Sequence, residues 1–216
     1  MYIETLTVNP FSQNTYLLIQ NNNALLIDAG FASASELNRM IDVLREHKAE
    51  LKAIILTHAH IDHIMGLKRT IDRFDVPVYI SHEDLYLWQN SYAQGKFYDI
   101  DLKRFDFIPE PLPSDAPFEV AGFKMIVLYT PGHSPDHVSL YFENEGVLIA
   151  GDVLFHGSIG RTDLYKGNFN TLAKSIQEKL YLLPDSTEVY PGHGPKTLIG
   201  HEKKFNQFVK AANSEE

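Results

Sequence analysis

The chain has no cysteine, which removes disulfide frameworks and every thiolate metal site from consideration. Any metal it holds must sit on imidazole and carboxylate. No apolar run approaches the roughly 20 residues of a membrane span, so no membrane partner is expected. Basic residues are in deficit, with 19 Lys and Arg against 28 Asp and Glu and a formal charge of −9. Such a surface repels nucleic acid on average. The opening MYIETLTVNP alternates like a strand and lacks the charged, apolar, then small-residue order of a signal peptide, so the expected location is the cytoplasm. At 216 residues and 44% hydrophobic content the chain can bury a sizeable core, and a single domain over 1–216 is expected.

The pattern along the chain is strand, helix, strand, helix, given twice. YIETLTV, NTYLLIQ and NALLID read as strands, with a hairpin turn at the Asn-rich QNNNA. A helix follows, with Leu37, Met40, Ile41 and Leu44 on one face and Ser35 as the expected cap. LKAIILT is apolar enough to be a strand buried on both faces. IMGLKRTIDRF predicts one helix and VPVYIS a strand. Residues 83–115 are irregular and hold the only Trp; they read as a long connection with satellite packing, or as a loop over a substrate. Further strands lie in FEVAGFKMIVLYT, in the hairpin HVSLYFENEGVLIAGD and in STEVYPGHG, with a helix from NFNTLAKSIQEKLYLL capped by Asn170. HEKKFNQFVKAAN is expected to close the chain as a helix. The repeated order predicts two similar halves sharing a cleft.

Four apolar strands end in the same way, with His or Asp in the following loop: AIILTHAHIDH, MIVLYTPGHSPDH, VLIAGD and EVYPGHG. With ten histidines in the chain, H-x-H-x-D-H arises in about one of a thousand shuffled sequences, so chance is a poor explanation. His58 and His60 are two apart and point to one side of an extended segment, while Asp62 and His63 follow as the chain turns into a helix. Glycines precede His133, Asp152 and His193, which lets the backbone bend tightly beside each one. Five imidazoles and two carboxylates suffice for two divalent metal ions. Zinc is the first expectation, and iron and manganese accept the same donors. A carboxylate can bridge two cations, and Asp152 is the candidate. Asp28 either orients a ligand imidazole or only forms a turn. His47 and His82 read as surface or capping residues, His137 and His201 as outer-sphere or surface, and His156 is open.

The motifs THAHIDH, PGHSPDH, AGDVLF and YPGHG, in this order over nearly the whole chain, resemble the metallo-β-lactamase-fold hydrolase superfamily. That resemblance implies an α/β fold, a four-layer αββα sandwich, with His58, His60 and His133 on one metal, Asp62, His63 and His193 on a second, and Asp152 between. GDVLFHGSIGRTDLYKGN and PGHGPKTLIGHEKKFN are similar to small glyoxalase II-like proteins, the hydroxyacylglutathione hydrolase group. The similarity implies hydrolysis of S-lactoylglutathione or another acylthiol, with Asp62 handling the proton of the attacking water and Arg161 binding a substrate carboxylate. Larger glyoxalase II enzymes add a C-terminal helical domain, and only about twenty residues follow the last motif here. The same fold and the GRTD sequence also fit an iron-dependent persulfide dioxygenase using His58, His133 and Asp152. A lactonase fits the donors too, whereas β-lactamase activity is disfavoured by Asp152.

Overall fold

The computed structural model describes residues 1–211. It divides into two compact units, Met1–Leu112 with Phe118–Lys124, and Pro113–Pro117 with the chain from Met125 onward.

The first unit is built on a six-stranded mixed sheet in the order β1-β2-β3-β4-β5-β6. Its strands are β1 (Tyr2–Val8), β2 (Gln13–Gln20), β3 (Asn23–Ile27), β4 (Glu50–Ile55), β5 (Val78–Ser81) and β6 (Glu110–Leu112). β1, β2 and β3 are antiparallel, and β3 through β6 are parallel. Asn21 and Asn22 both take positive φ, 50° and 63°; two such residues make the tight turn whose twist matches a hairpin, and asparagine tolerates it. β4 has parallel partners on both sides, and Ala53, Ile54 and Ile55 are fully buried.

Helix α1 (Ala34–Glu46) is capped by Ser33, not Ser35. Glu36 decides the matter: it lies three residues after Ser33, so the two close a reciprocal capping box. Leu37, Met40 and Leu44 are the buried face. The single helix expected over 64–74 is two, α2 (Ile61–Ile64) and α3 (Leu67–Phe74). They part at Gly66, which donates to Ala29 O and comes so near Phe31 that a Cβ would sit 2.6 Å from its backbone. The irregular stretch holds α4 (Tyr86–Gln89) and α5 (Ser91–Phe97). Trp88 is buried there, stacked on Phe105 and donating to Phe107 O at 3.2 Å, which is the satellite packing expected.

Most of a second mixed sheet, of order β14-β13-β10-β9-β8-β7, belongs to the second unit. Its strands are β7 (Ala116–Val120), β8 (Phe123–Tyr129), β9 (Val138–Phe142), β10 (Val147–Gly151), β13 (Glu188–Pro191) and β14 (Thr197–Leu198), and a small hairpin pairs β11 (Leu154–Phe155) with β12 (Ser158–Ile159). β8 and β10 are each antiparallel to β9, and β13 is parallel to β10. β8, β10 and β13 therefore all point the same way, and the segments that follow them leave one edge of the sheet. Helices α6 (Phe169–Glu178) and α7 (Ile199–Phe205) add Leu172, Ile176 and Ile199 to a core with Leu148, Ala150 and Val189. The closing helix is shorter than expected, stopping at Phe205 with Asn206 as its cap; residues 212 and 213 of the expected helix lie outside the described residues. Among the described residues no helix is long and apolar enough to cross a membrane.

α6 begins two residues earlier than expected, capped by Asn168, whose side chain accepts from Thr171 N at 2.9 Å. Asn168 is placed by its own amide, which donates to Gly132 O. Asn168→Ala is therefore expected to cost about 1 kcal/mol in chemical denaturation, and Asn170→Ala less than about 0.5 kcal/mol. Equal effects would mean that Asn168 does not cap the helix.

Candidate metal centre

In the first unit, Asp28 stands at the end of β3 in a left-handed conformation, φ 58°, with its amide bonded to Ile55 O at the end of β4. Its buried carboxylate accepts from Thr57 N and Thr57 Oγ1, each at 2.8 Å, and lies 2.8 Å from His63 Nδ1. Both readings of Asp28 hold: it forms the turn and it orients an imidazole. The network also assigns protons. Thr57 has one hydroxyl hydrogen, which goes to Asp28, so its oxygen accepts from His58 Nδ1 at 3.0 Å. His58 and His63 thus carry their protons on Nδ1, leaving the lone pair on Nε2.

Those lone pairs converge. His58 Nε2 lies 3.0 Å from His60 Nδ1, and His63 Nε2 lies 3.6 Å from Asp62 Oδ2. Two donors bound at about 2.0–2.1 Å to a tetrahedral ion stand about 3.3 Å apart, so each pair has the spacing of one edge of a coordination shell. The loop is braced from two sides, because Asn9 Nδ2 donates to Asp62 O and Gln94 Nε2 to Ala59 O, both at 2.9 Å.

The second unit repeats the device with different parts. His133 Nδ1 is 2.8 Å from the Arg161 carbonyl, which can only accept, so His133 also offers Nε2. That nitrogen is 3.5 Å from Asp152 Oδ2, and His193 Nε2 is 3.4 Å from the same oxygen. One carboxylate oxygen thus lies almost evenly between the two imidazoles. Asp152 is positioned through its backbone: its amide donates to His137 Nε2 at 2.9 Å, and His137 Nδ1 is 3.0 Å from Thr130 Oγ1. Thr130 then reaches Ser139, and Ser139 donates to Ala150 O. His137 is buried behind Asp152 and is not a surface residue.

Of the glycines expected to permit tight bends, Gly132 and Gly151 take positive φ, 129° and 53°. At the last motif the left-handed residue is Gly194, while Gly192 donates to Gly151 O at 2.8 Å and so ties the loop of β13 to that of β10. The Arg161 guanidinium grips Asp163 through two bonds, 2.7 and 2.8 Å, and that hydrogen bonding holds the Asp163 carboxyl down at about 2. His47 stacks on Tyr2 and His82 Nε2 bonds to Pro109 O, apart from both donor sets. The residues missed by sequence reasoning are Thr57 and Thr130. The signal was present, since LTH and YTPGH each place a threonine at the strand end before the histidines.

The donor chemistry fits divalent metal, with oriented imidazoles, carboxylate oxygens and coordination-edge spacings within each unit. Comparison with known proteins agrees. The model of the metallo-beta-lactamase superfamily matches residues 8–193. The chain is 35% identical over 216 residues to the hydroxyacylglutathione hydrolase GloC of Haemophilus influenzae, covering 98% of this chain and 99% of that one. Among solved structures it is similar to the BLEG-1 B3 metallo-beta-lactamase, at 34% identity and a TM-score of 0.88 over 96% of this chain and 99% of that one. It is also similar to TTHA1623 in a di-iron-bound form, at 32% identity and a TM-score of 0.83 over 97% and 100%.

Asp28→Asn keeps the volume but removes the charge that holds the His63 proton on Nδ1. Metal retention, measured by competition against a chromophoric chelator, is expected to fall by about 10- to 100-fold, and an unchanged affinity would contradict the orienting role.

Proposed function

This chain belongs to the metallo-β-lactamase superfamily, and from that premise we propose that it is a cytoplasmic hydrolase of acylthiols, working as one domain over residues 1–216 on two divalent ions. In this reading His58, His60 and His133 would hold one ion, Asp62, His63 and His193 the other, and Asp152 would serve both. The observation that carries it is the Asp152 oxygen set 3.5 and 3.4 Å from Nε2 of His133 and His193. Zinc suits these donors, and the di-iron form of TTHA1623 supports iron as the first alternative. The likeness to GloC supports a thioester such as S-lactoylglutathione as substrate.

Two such ions supply Lewis acidity toward a carbonyl and lower the pKa of water from about 15.7 toward neutrality. The chain's residues do the rest. Asp62, whose side chain is 13% exposed, takes the proton of the attacking water. The water oxygen bonds to the carbonyl carbon, the carbon–sulfur bond breaks, and sulfur leaves with the electron pair as thiolate. A thiolate is a good leaving group, so no acid is needed on that side. Arg161 binds a substrate carboxylate by exchanging it for Asp163, its bidentate partner in this structure.

The test is elemental analysis of protein purified without added metal, joined to S-lactoylglutathione turnover. Two ions per chain with thiol release support the reading. Asp152→Ala is expected to lose metal and turnover together, and Asp62→Asn to keep the fold while losing turnover. Full thioesterase activity in metal-free Asp152→Ala would sink it. One iron with oxygen consumption on glutathione persulfide, or turnover of a β-lactam in place of the thioester, would replace it with another chemistry.

Arg161→Ala leaves the backbone carbonyl behind His133 in place. It is expected to raise KM for a carboxylate-bearing thioester by about 10-fold, the scale of one charge-assisted hydrogen bond of about 1.5 kcal/mol, with kcat and metal content held. A fall in metal content would assign the side chain to the centre instead.

A further inference from the structure

A second group of donors lies within the second unit, outside the set assigned above. His156 sits in the turn of the β11–β12 hairpin, beside Gly157 with φ 68°. His201 is in the first turn of α7. Their rings stack with centroids 5.2 Å apart and planes 15° from parallel. Glu202, next to His201, is fully buried, and its Oε1 is 4.0 Å from His201 Nε2. One nitrogen of each imidazole and one oxygen of Glu202 all lie within 4.8 Å of one another.

Two stacked surface imidazoles have no need of a buried carboxylate behind them, and a carboxylate buried only to staple a helix has no need of them. Glu202 does staple: its Oε1 accepts from Thr197 Oγ1 at 2.6 Å and from Gly157 N at 3.2 Å, and its Oε2 accepts from the same Gly157 N at 3.0 Å and from Asn206 Nδ2 at 2.8 Å. Three donors serve the two oxygens, and the longer arm of the shared Gly157 hydrogen is the contact that an ion at Oε1 would replace. Ligands of a first-row ion bound at about 2.0–2.1 Å stand about 3.3 to 4.2 Å apart, from tetrahedral to trans. The carboxylate is fixed, and His201, with 41% of its side chain exposed, can close the remaining distance by turning about its χ angles.

We propose that His156, His201 and Glu202 form a separate site for one late first-row divalent ion such as zinc, distinct from the centre built on the strand-end loops. The donor set is two imidazoles and a carboxylate, which suits zinc, copper and nickel. The ion joins the β11–β12 turn to α7. That hairpin starts directly after Asp152, and Gly160 closes it by donating to Val153 O, just ahead of the Arg161 carbonyl that orients His133. A clamp at residue 156 restrains the segment between these two positions. The proposal stands independently of the acylthiol reading.

The experiment is equilibrium dialysis of the full chain against zinc at increasing micromolar concentrations, with zinc per chain read by elemental analysis. Wild type is expected to take up one more ion than His156→Gln combined with His201→Gln, while His47→Gln keeps the wild-type count. Zinc is also expected to raise Tm of the wild type by a further step that the double variant lacks, since an ion that binds only the folded state stabilises it. In Asp152→Ala this extra ion remains, so failure of one reading does not carry the other with it. Equal zinc content and equal Tm response in wild type and double variant would overturn the proposal, as would a matching loss of one ion in His47→Gln.

Discussion

Everything in the donor array depends on which nitrogen of each imidazole keeps its proton. A histidine offered to a cation with the wrong tautomer presents a hydrogen instead of a lone pair, and the site fails whatever the distances. The chain meets this constraint with acceptors that cannot donate. Asp28 holds the proton of His63, and by taking the only hydroxyl hydrogen of Thr57 it also forces His58 to donate in turn. In the second unit the Arg161 carbonyl does the same for His133. Burying Asp28 is costly for an isolated carboxylate, and its three short bonds offset that cost. The orientation of two ligand candidates is thus tied to the stability of the β3–β4 edge.

The two units use one plan with different materials. Each has a mixed sheet from which strands deliver histidines and aspartates at their C-terminal ends, where rigid strands hold short loops. Each places a threonine at the strand end as the link between loop and sheet, Thr57 toward Asp28 and Thr130 toward His137. The first unit fixes its donors through a side-chain carboxylate. The second fixes Asp152 through its own amide, bound to the buried imidazole of His137. Both solutions hydrogen-bond the groups that hold the donors in place, which is what a preorganised centre needs.

Much of this was legible in the chain because hydrophobic period and strand-end punctuation are local signals. The first five strands, the QNNNA hairpin, the buried LKAIILT strand and the loops that carry His and Asp stand where pattern places them, whereas β6 falls in the stretch that reads as irregular. The errors share a cause, which is that caps and breaks are set by partners remote in sequence. Ser33 caps α1 in place of Ser35 because Glu36 completes the box and also accepts from the Asn9 amide, 27 residues away. Gly66 breaks a helix that its neighbours would continue because its amide donates to Ala29 O, 37 residues away, and not to the Asp62 carbonyl one turn back, which accepts from Asn9. The closing helix ends at Asn206 because that side chain is bound to Glu202 and Ser158 O, contacts that its own periodicity does not reveal. In the site, the metal donors were readable as residue types at strand ends. Their proton assignments were not, since these follow from Thr57, Asp28 and a backbone carbonyl that spacing does not bring together.

Arg161 shows how far a single position can be divided. Its backbone carbonyl orients His133, a contact that does not depend on what the side chain is. The guanidinium, more than half exposed, is held by Asp163 in a bidentate pair. A surface pair of this kind contributes little to stability, but it sets the side chain's direction. In the proposed reading a substrate carboxylate would exchange with Asp163 at the guanidinium. The two roles would then run through different atoms, the carbonyl toward His133 and the guanidinium toward substrate, so a change of side chain leaves the His133 contact in place.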